Sequence, residues 1–107
     1  MYAHARKALE NISSALKRKY PETVTAVIAF GSRVRGDHDE GSDFDVLVIV
    51  KENSTRISEG IIGIFTEEEM RSNIPFDPVI KTAESFEKEK LHHTPFYTNV
   101  TEQGTPV

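Results

Sequence analysis

Asp43 and Asp45 stand two positions apart at the mouth of an aliphatic run, "SDFDVLVIV", and ten residues separate the pair from Gly31-Ser32. In an extended strand the side chains at i and i+2 leave the same face, so these two carboxylates project together, about 6.6 Å apart along the backbone. Two like charges about 5.5 Å apart at an effective dielectric near 20 repel by about 3 kcal/mol, a large share of a small domain's stability. Aspartate is also a poor strand former, so fold stability gives little reason for the pair, whereas a bound cation would relieve the repulsion. Hard oxygen donors with no accompanying histidine or cysteine favour Mg²⁺ or Mn²⁺ over zinc. Gly31-Ser32 adds a second component. A glycine corner directly after a buried strand can offer backbone N–H groups to phosphate oxygens, and the serine hydroxyl is a further donor. Alone, a D-x-D is usually a solvated strand end and a Gly-Ser an ordinary turn; at this mutual spacing the combination is far rarer than either part.

The flanking sequence supplies elements that can position these groups. Ala5, Ala8, Leu9, Ile12, Ala15 and Leu16 recur at helical spacing with charged residues between them, and Pro21 stops the pattern. Val24 to Phe30 and Phe44 to Val50 read as buried strands, and the segment between them as a loop with a short helical turn after Ser32. Ile57, Ile61, Ile64 and Phe65 are spaced for a helix face, but Gly60 and Gly63 each cost about 1 kcal/mol relative to alanine, and "TEEEM" offers a fresh cap and acidic first turn at Thr66. A third strand is predicted over Phe76 to Lys81, then helices over Thr82 to Leu91 and from Thr94 to Gly104, and an edge strand at Thr105 to Val107. Strands interleaved with helices predict an α/β (α+β) fold, a small mixed sheet with helices packed on it.

Composition narrows the function classes. A length of 107 residues fits one domain, 1–107, without a separate acceptor-binding domain. The net charge of −4 gives no broad positive field, which argues against direct nucleic-acid binding. The absence of cysteine fits a cytoplasmic location, and no apolar run approaches the ~20 residues of a membrane span. His92-His93 reads as a surface or packing pair because adjacent helical residues diverge, and His38 as a solvated loop residue. Ile61, Ile62, Ile64 and Phe65 together exceed one helix stripe.

At "GS", ten residues, "DFD", the sequence resembles the minimal nucleotidyltransferases of the DNA polymerase β superfamily. The resemblance extends to the helix before the first strand, the "GSRVRG" turn, the "SDFDVLVIV" strand and a later strand with a third acid, Asp77 in "IPFDPVI". It implies that Asp43, Asp45 and Asp77 hold two Mg²⁺ ions, with Mn²⁺ as a substitute, during in-line displacement at an α-phosphorus. It further implies that Asp77 ligates the ion beside the acceptor hydroxyl and that Gly31 and Ser32 bind the β- and γ-phosphates of ATP. Arg33 and Arg35 could add positive charge there, or pair with Asp37, Asp39 or Glu40 on the surface. Pro78 removes a backbone donor and so places Asp77 at a strand start or on an edge. Glu67, Glu68 and Glu69 are poorer metal ligands, since consecutive helical residues diverge and an acidic first turn accounts for them.

Minimal nucleotidyltransferases are commonly paired with HEPN-domain toxins, and family members transfer AMP from ATP to a toxin tyrosine. The resemblance therefore implies a Mg²⁺-dependent protein adenylyltransferase acting as an antitoxin, with self-association left open. A non-catalytic antitoxin that neutralises its partner by occlusion is the alternative, and a D-x-D glycosyltransferase is disfavoured by the chain's length.

Overall fold

Helix α1, Ala3–Lys19, turns its alanine and leucine stripe inward, burying Ala5, Ala8, Leu9, Ile12 and Leu16. Lys17, Arg18 and Lys19 fall in its last turn, where positive charge complements the helix dipole. The computed structural model describes residues 3–31 and 43–107. Strand β1, Val24–Phe30, pairs antiparallel with β2, Phe44–Val50, and β2 pairs in parallel with β3, Phe76–Thr82. A short β4, Thr105–Pro106, adds antiparallel to β1, giving the order β3-β2-β1-β4. The mixed sheet with packed helices is the α+β arrangement that the sequence predicts.

Both faces of the sheet are covered. On one, Val27, Ala29, Phe44, Val46, Val48 and Val50 pack against α1 and against helix α2, Thr55–Ser72. On the other, Leu47 and Ile49 meet Ile28, Phe30, Val79 and residues of helices α3, Ala83–Leu91, and α4, Pro95–Gln103. A central strand covered on both sides reads as a continuous apolar run rather than an alternation. Each fully buried aliphatic side chain contributes about 1.5–3 kcal/mol, and β2 holds Val46, Leu47, Val48 and Val50 in that state. An aspartate at position 45 is therefore costly in this strand.

Two expectations need correction. Helix α2 runs unbroken from its cap, where Ser54 Oγ accepts from the Ile57 N–H, to Asn73 in the left-handed region, so Thr66 starts no new helix. Gly60 is tolerated because the Tyr20 hydroxyl lies against its Cα, where a Cβ would overlap it, whereas Gly63 faces open space. The apolar excess on this helix is divided: Ile61 and Phe65 are buried, Ile64 is partly buried, and Ile62 stays 47 % exposed. His92 and His93 sit in the turn that ends α3, His92 as its cap and His93 at φ 47°, not on a helix. Among the described residues no helix is long and apolar enough to cross a membrane.

The two glycines predict opposite outcomes. Gly63→Ala should stabilise by up to about 1 kcal/mol, the ordinary helical gain. Gly60→Ala should lose that gain and destabilise, because the hydroxyl end of Tyr20, which packs against the core, must shift away from the helix. Thermal melts of the two variants check this, and a shared upward shift would contradict the Tyr20 contact.

Candidate active site

The ladders place the acidic residues. Asp45 is the Cα partner of Phe30 on one side and of Asp77 on the other. Side chains at paired positions of a ladder share a face, so Asp45 and Asp77 rise together from neighbouring strands, and Asp43 precedes them at the entrance to β2. Strand β3 lies at the edge of the sheet, where Pro78 can lack an N–H without leaving a central ladder unsatisfied. Its start is held twice. The Phe44 N–H donates to the Pro75 carbonyl at 2.9 Å, and the Phe76 N–H donates to Glu69 Oε1 at 2.8 Å.

Gly31 ends β1 at φ +92°, a conformation that side-chain-bearing residues rarely adopt. The carboxylate of Asp45 occupies the space that a Cβ at position 31 would need. Glycine at this corner thus lets the turning backbone pass directly against the carboxylate.

Electrostatics mark Asp45 as the centre of the group. Burial, the charge of Asp77, the charge of Asp43 and a side-chain hydrogen bond with Asp77 together raise its pKa from the usual 3.8. Asp43 and Asp77 are exposed and Asp45 is half-buried. Among the described residues no three acidic, imidazole or thiol groups are already gathered tightly enough to form a cation cage. Asp45 feels both other carboxylates, however, and positive charge placed between them would offset that crowding. Three carboxylates free of nitrogen and sulfur ligands make a donor set that suits a hard divalent cation.

Asp43, Asp45, Asp77 and Gly31 are thus brought to one end of one sheet face. Ser32, Arg33, Arg35 and His38, and the helical turn expected after Ser32, lie outside the described residues. The three glutamates lie not in a first turn, as an acidic cap at Thr66 would place them, but in the last third of α2. Glu68 accepts from Arg71 at 2.7 Å, and Glu67 forms an exposed ion pair with the same guanidinium at 3.5 Å. Glu69 anchors β3 instead.

That role of Glu69 is invisible in the local pattern, because its partner lies seven residues away across a cap and a turn. Removing it should free the strand start that carries Asp77. Glu69→Ala is expected to reduce the activity of this site about tenfold or more, in line with a charge-assisted hydrogen bond worth about 1.5–3 kcal/mol. Glu69→Gln keeps an acceptor oxygen and should restore most of the rate. Equal loss in both variants would assign Glu69 a role other than positioning.

Comparison with known proteins bears on the family and the fold. The sequence pattern of the nucleotidyltransferase domain family matches residues 9–103. A Methanocaldococcus jannaschii protein named "putative protein adenylyltransferase" is 31 % identical over 98 residues, covering 92 % of both chains. A second protein of the same organism and name is 42 % identical over 72 residues, covering 66 % of this chain and 69 % of its own. Among solved structures, a chain of a toxin-antitoxin crystallised with AMP-PNP superposes with a TM-score of 0.58 at 19 % identity, over 91 % of this chain and 70 % of the other, a likeness of fold.

Proposed function

The chain belongs to the nucleotidyltransferase domain family, and from that premise we propose that it transfers AMP from ATP to a tyrosine hydroxyl of a HEPN-domain toxin and so acts as its antitoxin. The observation that carries this reading is the in-register pairing of Asp45 with Asp77 beside Gly31. The names of the two archaeal relatives support protein as the acceptor, and the AMP-PNP-bound toxin-antitoxin of the same fold supports both the nucleotide and the toxin partner. The HEPN assignment rests on the resemblance of the Gly-Ser and D-x-D pattern to minimal nucleotidyltransferases.

Asp43, Asp45 and Asp77 are the residues that would hold Mg²⁺. A divalent cation bound there supplies positive charge against the triphosphate and the leaving pyrophosphate. Gly31 and Ser32 receive the β- and γ-phosphate oxygens on backbone N–H groups and the serine hydroxyl, with Arg33 and Arg35 adding charge. The acceptor oxygen forms a bond to the α-phosphorus as the bond from that phosphorus to the bridging oxygen breaks, and the electron pair leaves with pyrophosphate. Asp77, the exposed acid on the edge strand, accepts the hydroxyl proton.

Incubation with Mg²⁺, the toxin partner and ATP labelled at the α-phosphate tests the reading. Label on the partner from α-labelled but not γ-labelled ATP is the expected result. Stable binding of the partner without any label would replace catalysis by occlusion.

A further inference from the structure

Phe30 is the residue immediately before Gly31 and the ladder partner of Asp45, so its ring stands on the same sheet face as the Asp45 carboxylate. Large aromatic rings are ordinarily well buried, yet Phe30 and Phe96 both remain partly exposed at the margin of the cluster beneath α3 and α4. They meet edge to face, with centroids 5.4 Å apart and planes at 83°.

Phe96 is held from behind. Lys81 Nζ lies 4.9 Å from its ring centroid and forms an ion pair with Glu89 Oε2 at 2.7 Å. The other oxygen of Glu89 accepts from the Thr94 hydroxyl, and Thr94 caps the helix that carries Phe96. Lys81 and Thr94 hold the Glu89 carboxyl below its usual range against the opposing effect of burial, so it stays a carboxylate at neutral pH. The aromatic pair is therefore preorganised, which limits the entropic cost of receiving a ligand.

The sheet order says which ligand it receives. Asp77 and Phe30 flank Asp45 on opposite sides. With Asp77 on the acceptor side, the Phe30 side belongs to the nucleotide, whose phosphates are placed at the adjoining Gly31 corner. We propose that the Phe30–Phe96 pair forms the wall against which the ribose and base of the nucleotide pack, so that these rings select a nucleoside triphosphate over a bare polyphosphate. This rests on the nucleotidyltransferase reading above.

The test compares ATP with inorganic tripolyphosphate, each titrated calorimetrically into the intact protein with Mg²⁺. Aromatic packing of a base is worth about 1–3 kcal/mol, so Phe30→Leu should weaken ATP about 5- to 150-fold while tripolyphosphate is unchanged. Phe96→Leu should give the same selective loss from a ring outside the strand, and it carries the test should Phe30→Leu not fold; Phe30→Tyr should retain affinity. Equal weakening of both ligands, or of neither, would overturn the wall. Unchanged ATP binding with a raised KM for the protein acceptor would assign the rings to the acceptor and equally overturn it. Wild-type protein that binds neither ligand would instead overturn the nucleotidyltransferase reading itself.

Discussion

Asp45→Asn is expected to abolish transfer, by a factor on the order of 10³ or more, while the metal-free variant melts above the wild type at neutral pH. Stability should rise, because Asp45 is the residue whose ionisation the fold resists. Its pKa is raised from 3.8 by burial and by Asp77 and Asp43, so the folded state binds its proton more tightly than the unfolded chain does. That contribution to stability is fully present below pH 3.8 and is lost as the pH rises through the folded-state value, leaving the whole cost in place at pH 7. Asparagine carries no charge at any of these pH values. The melting-temperature gap should therefore be widest near pH 7 and close as the pH falls.

Each 1 kcal/mol corresponds to about 4–8 °C in a domain of this size. Glu89 titrates with the opposite sign: its pKa is lowered, so its contribution is present above 4.5 and fades below the folded-state value. It does so in both proteins and cancels in the difference. Saturating Mg²⁺ and ATP should raise the wild-type melting temperature and leave the variant nearly unmoved. A variant that melts many degrees lower in metal-free buffer would make Asp45 a structural residue.

The second large effect is expected from Gly31→Ala. Alanine at φ +92° costs about 1–2 kcal/mol on conformational grounds alone, and its methyl group claims the position of Asp45 Oδ2. Displacing that carboxylate should reduce transfer at least 100-fold, since a misplacement of about 1 Å at a reacting centre can cost that much. The two sources of cost separate in a double-mutant cycle. In an Asp45→Ala background the overlap is gone and only the backbone term remains, so Gly31→Ala should be measurably less destabilising there. Strict additivity would contradict the contact.

What the sequence discloses about this fold depends on how local each cause is. The period-two spacing of Asp43 and Asp45 and the glycine corner ahead of them concern neighbouring residues, and the structure brings Asp43, Asp45 and Gly31 together. Pro78 points to a strand start or an edge, and β3 lies on the edge of the sheet with Pro78 near its start. Asp77, by contrast, joins the others through a parallel pairing 32 residues away in sequence, which no local period encodes; the family resemblance supplied it. The continuity of α2 was missed because Gly60 looks like a helix breaker until Tyr20, 40 residues earlier, is seen to lie against it. Glu69 was hidden for a related reason. Its residue type suggested a helix start, and its function is an acceptor for the backbone of the next strand.

Diffraction at the manganese absorption edge from crystals grown with Mn²⁺ and a non-hydrolysable ATP analogue offers the most direct measurement. Anomalous density within ligand distance of the Asp43 and Asp45 carboxylates, with Asp77 alongside and the phosphates against Gly31, is the predicted result. Nucleotide bound elsewhere on the protein, or density that leaves Asp45 and Asp77 untouched, would contradict a catalytic centre built on those two strands.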